Sequence, residues 1–229
     1  MEVAPGVHAV DFDGRVWAYL YREGSRFTLI DAGIAGRLEL IEQALDDVGG
    51  KLADIHQIVI THFHRDHTGT VAELQRLTGA RTLAHQLDAT VIRGGTVAPE
   101  PVLSGTELAM YEQLAKGIPG APPAVLDVEL ADGDHIDLDG GRARVVHVPG
   151  HTAGSIALHF PAQQLLFTGD ASASIGGRPI VGVFNIDTEQ ARRSFQRLAG
   201  LDFDTACFGH GPAITSEASA QFRRAAAKL

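Results

Sequence analysis

The sequence has a single cysteine, Cys207, and no cluster of lysines or arginines. One cysteine excludes an internal disulfide and a cysteine-based zinc knuckle, so the chain is compatible with a reducing compartment. Its 28 acidic and 19 basic residues give a formal net charge of -9, which makes long nucleic acids poor partners. No apolar run approaches the roughly 18 residues of a membrane span, and the first residues lack the features of a secretory signal. We therefore expect a cytoplasmic protein that binds neither nucleic acid nor membrane.

The chain does have the length and apolar content of one folded domain. Its 229 residues are 45% hydrophobic and 21% charged, which is ordinary for a globular protein. Short apolar runs such as residues 16–21 and 55–60 predict strands, and apolar residues at helical spacing follow at 37–48, from 71 and from 187. Strands and helices joined by short connections predict an α/β layered fold with mixed sheets, as one domain over residues 1–229.

Residues 86–125 follow a different pattern. Prolines and paired glycines interrupt the segment around one helical stretch that carries Leu108, Tyr111 and Leu114 on one face. A long Pro-rich connection with one amphipathic helix is typical of an insertion or lid. We expect a helical cap here, and an apolar cap could be covered by a second subunit of a homo-oligomer.

Potential metal ligands are concentrated in the segment His62-x-His64-x-Asp66-His67, where a predicted strand ends and a helix begins. Side chains two apart in extended backbone point to the same side, so His62 and His64 can bind one ion. The turn that follows presents Asp66 and His67 to another. Imidazole together with carboxylate suits zinc, with manganese and iron as alternatives.

Two ligands per ion are too few, and further donors follow other apolar strands. His151, Asp170 and His210 each come after such a strand and beside a glycine. Glycine permits the tight turns needed at the rim of a sheet. A lone histidine at a strand end is usually structural, but the density of ligand side chains in the first segment reverses that expectation.

The chain resembles the metallo-β-lactamase superfamily over nearly its whole length. The resemblance lies in the order of Asp31 in Leu29-Ile30-Asp31-Ala32-Gly33, the motif and the later donors. The resemblance implies a four-layer αββα sandwich of two mixed β-sheets with two divalent ions at one edge. It implies these ligands: His62, His64 and His151 for the first ion, Asp66, His67 and His210 for the second, and Asp170 bridging both. Asp31 would accept a hydrogen bond from a ligand histidine and fix its tautomer, although its spacing fits a turn-forming residue equally well.

The same resemblance implies hydrolysis by a hydroxide that bridges the two ions, most simply Zn²⁺, with Asp66 also orienting the hydroxide and passing its proton to the leaving group. Asp170 stands where true β-lactamases of the family generally have Cys or Ser, which disfavours antibiotic hydrolysis. Only 19 residues follow His210, so the glutathione-binding helical domain of a glyoxalase II-like thioesterase is not expected. We expect a small ester, lactone or thioester as substrate, since lactonase-like relatives fit the single-domain size.

Two other functions stay open. A mononuclear iron persulfide dioxygenase-like oxidoreductase would share the first-metal ligands and Asp170. A metal-stabilised binding protein would keep the fold without turnover. One iron per chain with sulfite production would identify the first, and the absence of metal-dependent turnover on a broad substrate panel would identify the second.

Overall fold

The structure is a computed structural model that describes residues 1–115, 117–139 and 141–229. Lys116, which falls within the predicted cap, and Gly140 lie outside the described residues. The strands, in chain order, are β1 (Glu2–Ala4), β2 (Val7–Phe12), β3 (Val16–Glu23), β4 (Arg26–Ile30), β5 (Ile55–Val59), β6 (Arg81–His85), β7 (Val128–Leu130), β8 (His135–Leu138), β9 (Gly141–His147), β10 (Ile156–Phe160), β11 (Leu165–Phe167), β12 (Ser172–Ile175), β13 (Arg178–Val181) and β14 (Thr205–Cys207). The helices are α1 (Leu38–Asp46), α2 (Arg65–Thr68), α3 (Val71–Thr78), α4 (Ala89–Ile92), α5 (Gly105–Ala115), α6 (Thr188–Ala199) and α7 (Ala218–Ala226).

The first sheet joins an antiparallel half to a parallel half. Its strand order is β1-β2-β3-β4-β5-β6-β7. Strands β1 to β4 form an antiparallel meander, with Tyr19 opposite Ile30. From β4 onward the pairing is parallel, because the chain between β4 and β5 and between β5 and β6 crosses back through helices.

The second sheet has the order β14-β11-β10-β9-β8 and is antiparallel except for the β11–β14 pair. Strands β12 and β13 form a separate hairpin. Both large sheets are therefore mixed, as predicted.

Apolar side chains form three layers of core, which define four layers of backbone. The outer face of the first sheet packs against α1 and α3, with Ile41 and Leu74 fully buried. The two sheets pack face to face through residues such as Phe160 and Phe167. The outer face of the second sheet packs against α6 and α7, where the Phe195 and Phe222 rings stack at 5.0 Å. This order confirms the predicted αββα sandwich.

Residues 86–125 contribute no strand within their described part. They contain the predicted helix α5 and also the four-residue α4, which is too short for apolar periodicity to reveal it. Helix α5 has no buried residue. The Arg65 guanidinium donates to the carbonyl of Ala115, which places the end of α5 beside the motif. In the described part of the chain, no helix is both long and apolar enough to span a membrane.

Candidate metal centre

The predicted ligands all follow the carboxyl ends of strands and meet at one edge of the sandwich. His62 comes shortly after β5 of the first sheet, while His151 follows β9, Asp170 follows β11 and His210 follows β14 of the second sheet. Both sheets therefore contribute ligands. Helix α2 begins at Arg65, directly after the first two histidines, and turns the chain so that Asp66 and His67 face the same edge.

Three histidines form a first trio in which one nitrogen of each points to a common centre. The Nδ1 atom of His64 lies 3.1 Å from Nε2 of His62 and 2.9 Å from Nε2 of His151. His62 and His151 are buried and His64 is half-buried. Three convergent imidazoles with one exposed side are a typical arrangement for a metal ion with an open position.

A second trio consists of Asp66, His67 and His210. The Oδ2 atom of Asp66 lies 3.5 Å from Nε2 of His210 and 4.0 Å from Nε2 of His67. His67 is fully buried, whereas the His210 side chain is 36% exposed. The second trio therefore lies toward solvent on the His210 side.

The carboxylate of Asp170 lies between the two trios. Its Oδ2 atom is 3.5 Å from Nε2 of His151 and 3.1 Å from Nε2 of His210. Its Oδ1 atom is 3.4 Å from Nε2 of His67. One carboxylate thus contacts members of both trios, the position that the family resemblance implies for a bridging ligand.

The donor set fits divalent ions. Nε2 of His67 and Oδ1 of Asp170 are buried without a hydrogen-bond partner in the described part of the chain. A buried polar atom without a partner is costly unless something else binds it. Nitrogen ligands from the first trio, and mixed nitrogen and carboxylate ligands from the second, suit a borderline cation such as zinc.

The outward-facing nitrogens of the ligand histidines are held by hydrogen bonds. Nδ1 of His67 donates to Oδ2 of Asp31 at 2.8 Å, that of His151 donates to the carbonyl of Val183 at 3.0 Å, and that of His210 donates to the carbonyl of Arg15. Since a carbonyl oxygen and an ionised carboxylate can only accept, these bonds place a proton on Nδ1, so Nε2 offers its lone pair to the centre whenever the ring is neutral.

Asp31 does more than hold His67. Its carboxylate also accepts from the backbone N–H and the hydroxyl of Thr61, both at 2.8 Å. Because the single hydroxyl proton of Thr61 goes to Asp31, its oxygen accepts from Nδ1 of His62 at 3.0 Å. Asp31 has a φ of +58°, a left-handed conformation that Asp tolerates better than most residues. It thereby orients one ligand of each trio.

The first trio is electrically neutral. Burial lowers the pKa of His62 well below its ordinary value, lowers the pKa of His64 to about 3, and also lowers the pKa of His151. A neutral imidazole has the free lone pair that binds a metal ion. These three side chains can therefore bind a cation without first losing a proton.

The second trio is a set of paired charges. Burial opposes ionisation, but Asp170 and Asp66 raise the pKa of His210 to about 10. Against the same effect of burial, Asp170, Asp31 and Asp66 raise the pKa of His67 well above its ordinary value, and the two histidines hold the pKa of Asp66 and Asp170 low. A divalent cation would replace the positive charge of the two imidazolium groups, so its binding would release protons.

Residues outside the predicted set also build this edge. Thr61 lies two residues after the end of β5 and directly before the motif, and the buried Asp88 accepts hydrogen bonds from two ligand loops. Nothing in the sequence marks Asp88 as part of this edge, and its side chain makes no cap bond to α4. The structure brings all the predicted site residues together at this edge, namely Asp31 and the seven ligands.

Comparisons with known proteins find relatives of this chain in sequence and in fold. A sequence profile described as the metallo-beta-lactamase superfamily matches residues 11–210. A hydroxyacylglutathione hydrolase from Cereibacter sphaeroides is 35% identical over 172 residues, which cover 74% of this chain and 52% of that protein. A protein of the same name from Pseudomonas aeruginosa is 31% identical over 195 residues, covering 84% and 59%.

The chain thus spans about half the length of the curated relatives it matches. Among solved structures, a metallo-beta-lactamase family protein from Thermus thermophilus superposes with a TM-score of 0.74 at 23% identity. That match covers 100% of this chain and 79% of the other. At this level of identity the likeness shows a shared fold.

Proposed function

The chain belongs to the metallo-beta-lactamase superfamily, and on that premise we propose that it is a dinuclear metal-dependent hydrolase of small thioesters, esters or lactones. The observation that carries the proposal is the pair of ligand trios with Asp170 in contact with both. The second trio favours two ions over the single iron of a persulfide dioxygenase.

Two divalent ions bound there would polarise a substrate carbonyl and lower the pKa of water, so that hydroxide is available to attack the carbonyl at neutral pH. The residues of the chain contribute orientation and proton transfer. His62, His151 and His210 have one ring nitrogen held by Thr61, Val183 and Arg15, so their rings are fixed before substrate arrives. Pre-orientation of this kind removes the cost of arranging the site during the reaction.

Asp66 is the residue we assign to proton transfer. It lies in the first turn of α2 with 16% of its side chain exposed, while Asp170 is almost fully buried. One of its oxygens, Oδ2, faces His210 and His67, which leaves Oδ1 to accept a proton from the attacking water and return it to the leaving group.

Thioesters are the first class to test because the matched relatives are named hydroxyacylglutathione hydrolase. The match covers only about half of their length, so we carry over the acyl–sulfur linkage and not the glutathione group. Esters and lactones present the same electrophilic carbonyl and stay in the proposal.

The test is metal analysis and a substrate panel on one preparation, purified without added metal. We expect two divalent ions per chain and metal-dependent hydrolysis of at least one thioester, ester or lactone. His210→Ala should retain one ion per chain and lose about 100-fold or more in kcat/KM, since even partners outside the ligand set cost 10- to 100-fold. The matched control is His135→Ala, an exposed histidine on β8, which should behave as wild type.

Two results would overturn the proposal. One iron per chain with sulfite formation from a persulfide would identify an oxidoreductase. Full metal occupancy with no hydrolysis of thioesters, esters, lactones or phosphodiesters would identify a metal-stabilised binding protein.

A further inference from the structure

One buried carboxylate near the metal centre is neither a ligand nor a partner of a ligand ring. Asp88 lies between β6 and α4 and is 1% exposed. It accepts from the backbone N–H of Phe63 at 3.0 Å, from the hydroxyl of Thr152 at 2.8 Å and from the backbone N–H of Gly154 at 2.7 Å. Both carboxylate oxygens are therefore used, and every partner comes from another part of the chain.

The partners of Asp88 lie beside the ligands of the first trio. Phe63 is the residue between His62 and His64, and Thr152 directly follows His151. The Phe63 loop follows β5 of the first sheet, while the Thr152 loop follows β9 of the second. Asp88 thus connects the two loops that must approach each other for the first trio to form.

The loop after His151 is shaped around this carboxylate. The Thr152 hydroxyl gives its proton to Asp88, so the hydroxyl of Ser155 donates to Thr152, and the same Ser155 oxygen accepts from the Thr152 N–H at 3.0 Å. A Cβ atom at Gly154 would lie 2.5 Å from Oδ1 of Asp88, so only glycine allows the loop to come this close.

We propose that Asp88 is a positioning residue that sets the distance between the two loops and so holds His62, His64 and His151 at metal-binding spacing. The inference rests on the proposed metal site but not on the reaction or substrate. A carboxylate is costly to bury, and burial raises the pKa of Asp88 to about 6. Packing alone would be better served by an apolar side chain, whereas three converging donors need an acceptor.

The test measures metal affinity at the first trio alone. In the His210→Ala background, which keeps the first trio, the zinc dissociation constant is measured by chelator competition, and the Co²⁺ absorption spectrum reports the ligand geometry. Asp88→Asn replaces an acceptor with an amide that faces N–H donors. We expect it to weaken zinc binding about 10- to 100-fold and to alter the Co²⁺ spectrum.

A second pair of variants keeps the test independent of the folding of Asp88→Asn. Thr152→Val removes the donating hydroxyl and should weaken zinc binding about 10-fold. Thr152→Ser keeps the hydroxyl, so its zinc affinity should equal that of the protein with Thr152. The two lesions should be non-additive in the double variant Asp88→Asn/Thr152→Val, because they break the same connection.

The matched control is Glu23→Gln. Glu23 is the last residue of β3, whereas Arg15, whose carbonyl accepts from His210, directly precedes the start of that strand. Glu23 is 3% exposed and accepts from His56, Thr28 and the N–H of Asp139, so it is an equally buried carboxylate away from the ligands. It should lower the free energy of unfolding without changing zinc affinity.

If Asp88→Asn and Thr152→Val lower stability as Glu23→Gln does but leave zinc affinity and the Co²⁺ spectrum unchanged, Asp88 is only structural and the inference is wrong. If the wild-type protein binds no metal, the proposed function and this inference fail together. If the wild-type protein binds metal and only the Asp88 result is negative, the proposed function stands.

Discussion

At the scale of single residues, His85 at the end of β6 and His147 at the end of β9 form a stacked pair. Their ring centroids are 4.1 Å apart and the planes differ by 10°. His85 is 3% exposed, and its Nδ1 accepts from the N–H of Leu87. Burial, together with the nearby His147, lowers the pKa of His85 to about 4. His85 is therefore neutral in the folded protein at pH values where it is charged in the unfolded chain.

This difference predicts a loss of stability in mild acid. Between about pH 6.5 and pH 4 the unfolded chain binds the His85 proton and the folded protein does not, so the free energy of unfolding falls as pH is lowered. Urea unfolding of chelated protein at pH 7.5 and pH 5 should show a drop that is about 1 to 2 kcal/mol smaller in His85→Phe than in wild type. Equal drops in both proteins would show that His85 does not titrate as inferred.

The partners of the ligand histidines explain why sequence predicted the ligands and one support, Asp31, but not the other supports. His62, His64 and His67 share a motif because metal binding requires particular side chains. The groups that hold His151 and His210 are the backbone carbonyls of Val183 and Arg15, which any residue type could provide. Only folding brings Arg15 and His210 together, 195 positions apart in the chain.

At the scale of elements, a helix is easier to predict from sequence when it is long and begins with a recognisable cap residue. Helix α6 begins at Thr188 with Asp187 as its cap, whose side chain accepts from the N–H of Gln190 at 2.9 Å, as the residue types predict. Helix α4 and the β12–β13 hairpin have only four residues per element, too few for a periodic pattern to appear.

The turn after β14 packs directly against two of the ligand side chains. A Cβ atom on Gly209 would lie 2.1 Å from Oδ1 of Asp170 and 2.6 Å from Cε1 of His67. Its φ lies outside the left-handed region, so alanine would suit the backbone but not the space. We infer that Gly209 allows β14 to deliver His210 against Asp170.

Gly209→Ala should therefore displace the Asp170 carboxylate and weaken metal binding by about 10-fold or more. Metal content after dialysis against a weak chelator is the measurement. Gly120→Ala is the control, because a Cβ atom there would meet no atom within 4 Å and its φ also lies outside the left-handed region. Wild-type metal content in Gly209→Ala would contradict the steric argument.

At the scale of the whole molecule, the metal centre joins the two sheets at one edge of the sandwich. The first sheet supplies the His62 to His67 motif, and the second supplies His151, Asp170 and His210. Ions bound by both groups of ligands would act as cross-links between the two halves of the fold. Because the unfolded chain separates these ligands, metal binding should stabilise the folded state.

Removal of metal should consequently lower the stability of the entire domain. At a metal concentration of 100 times the dissociation constant, one site contributes about 2.7 kcal/mol. We expect an excess of chelator to lower the Tm of wild type by several degrees, a smaller decrease in His210→Ala, and recovery on adding Zn²⁺. A Tm that does not respond to chelation would mean that the ligands of the two sheets do not share bound ions.

The sequence by itself determined which side chains can bind metal and the layered class of the fold, because ligand chemistry and apolar periodicity depend on residue type and local spacing. The tertiary structure alone decided that backbone carbonyls orient His151 and His210, and that Asp88 connects the two ligand loops. These are contacts between distant segments, and their geometry is set by the packing of the two sheets.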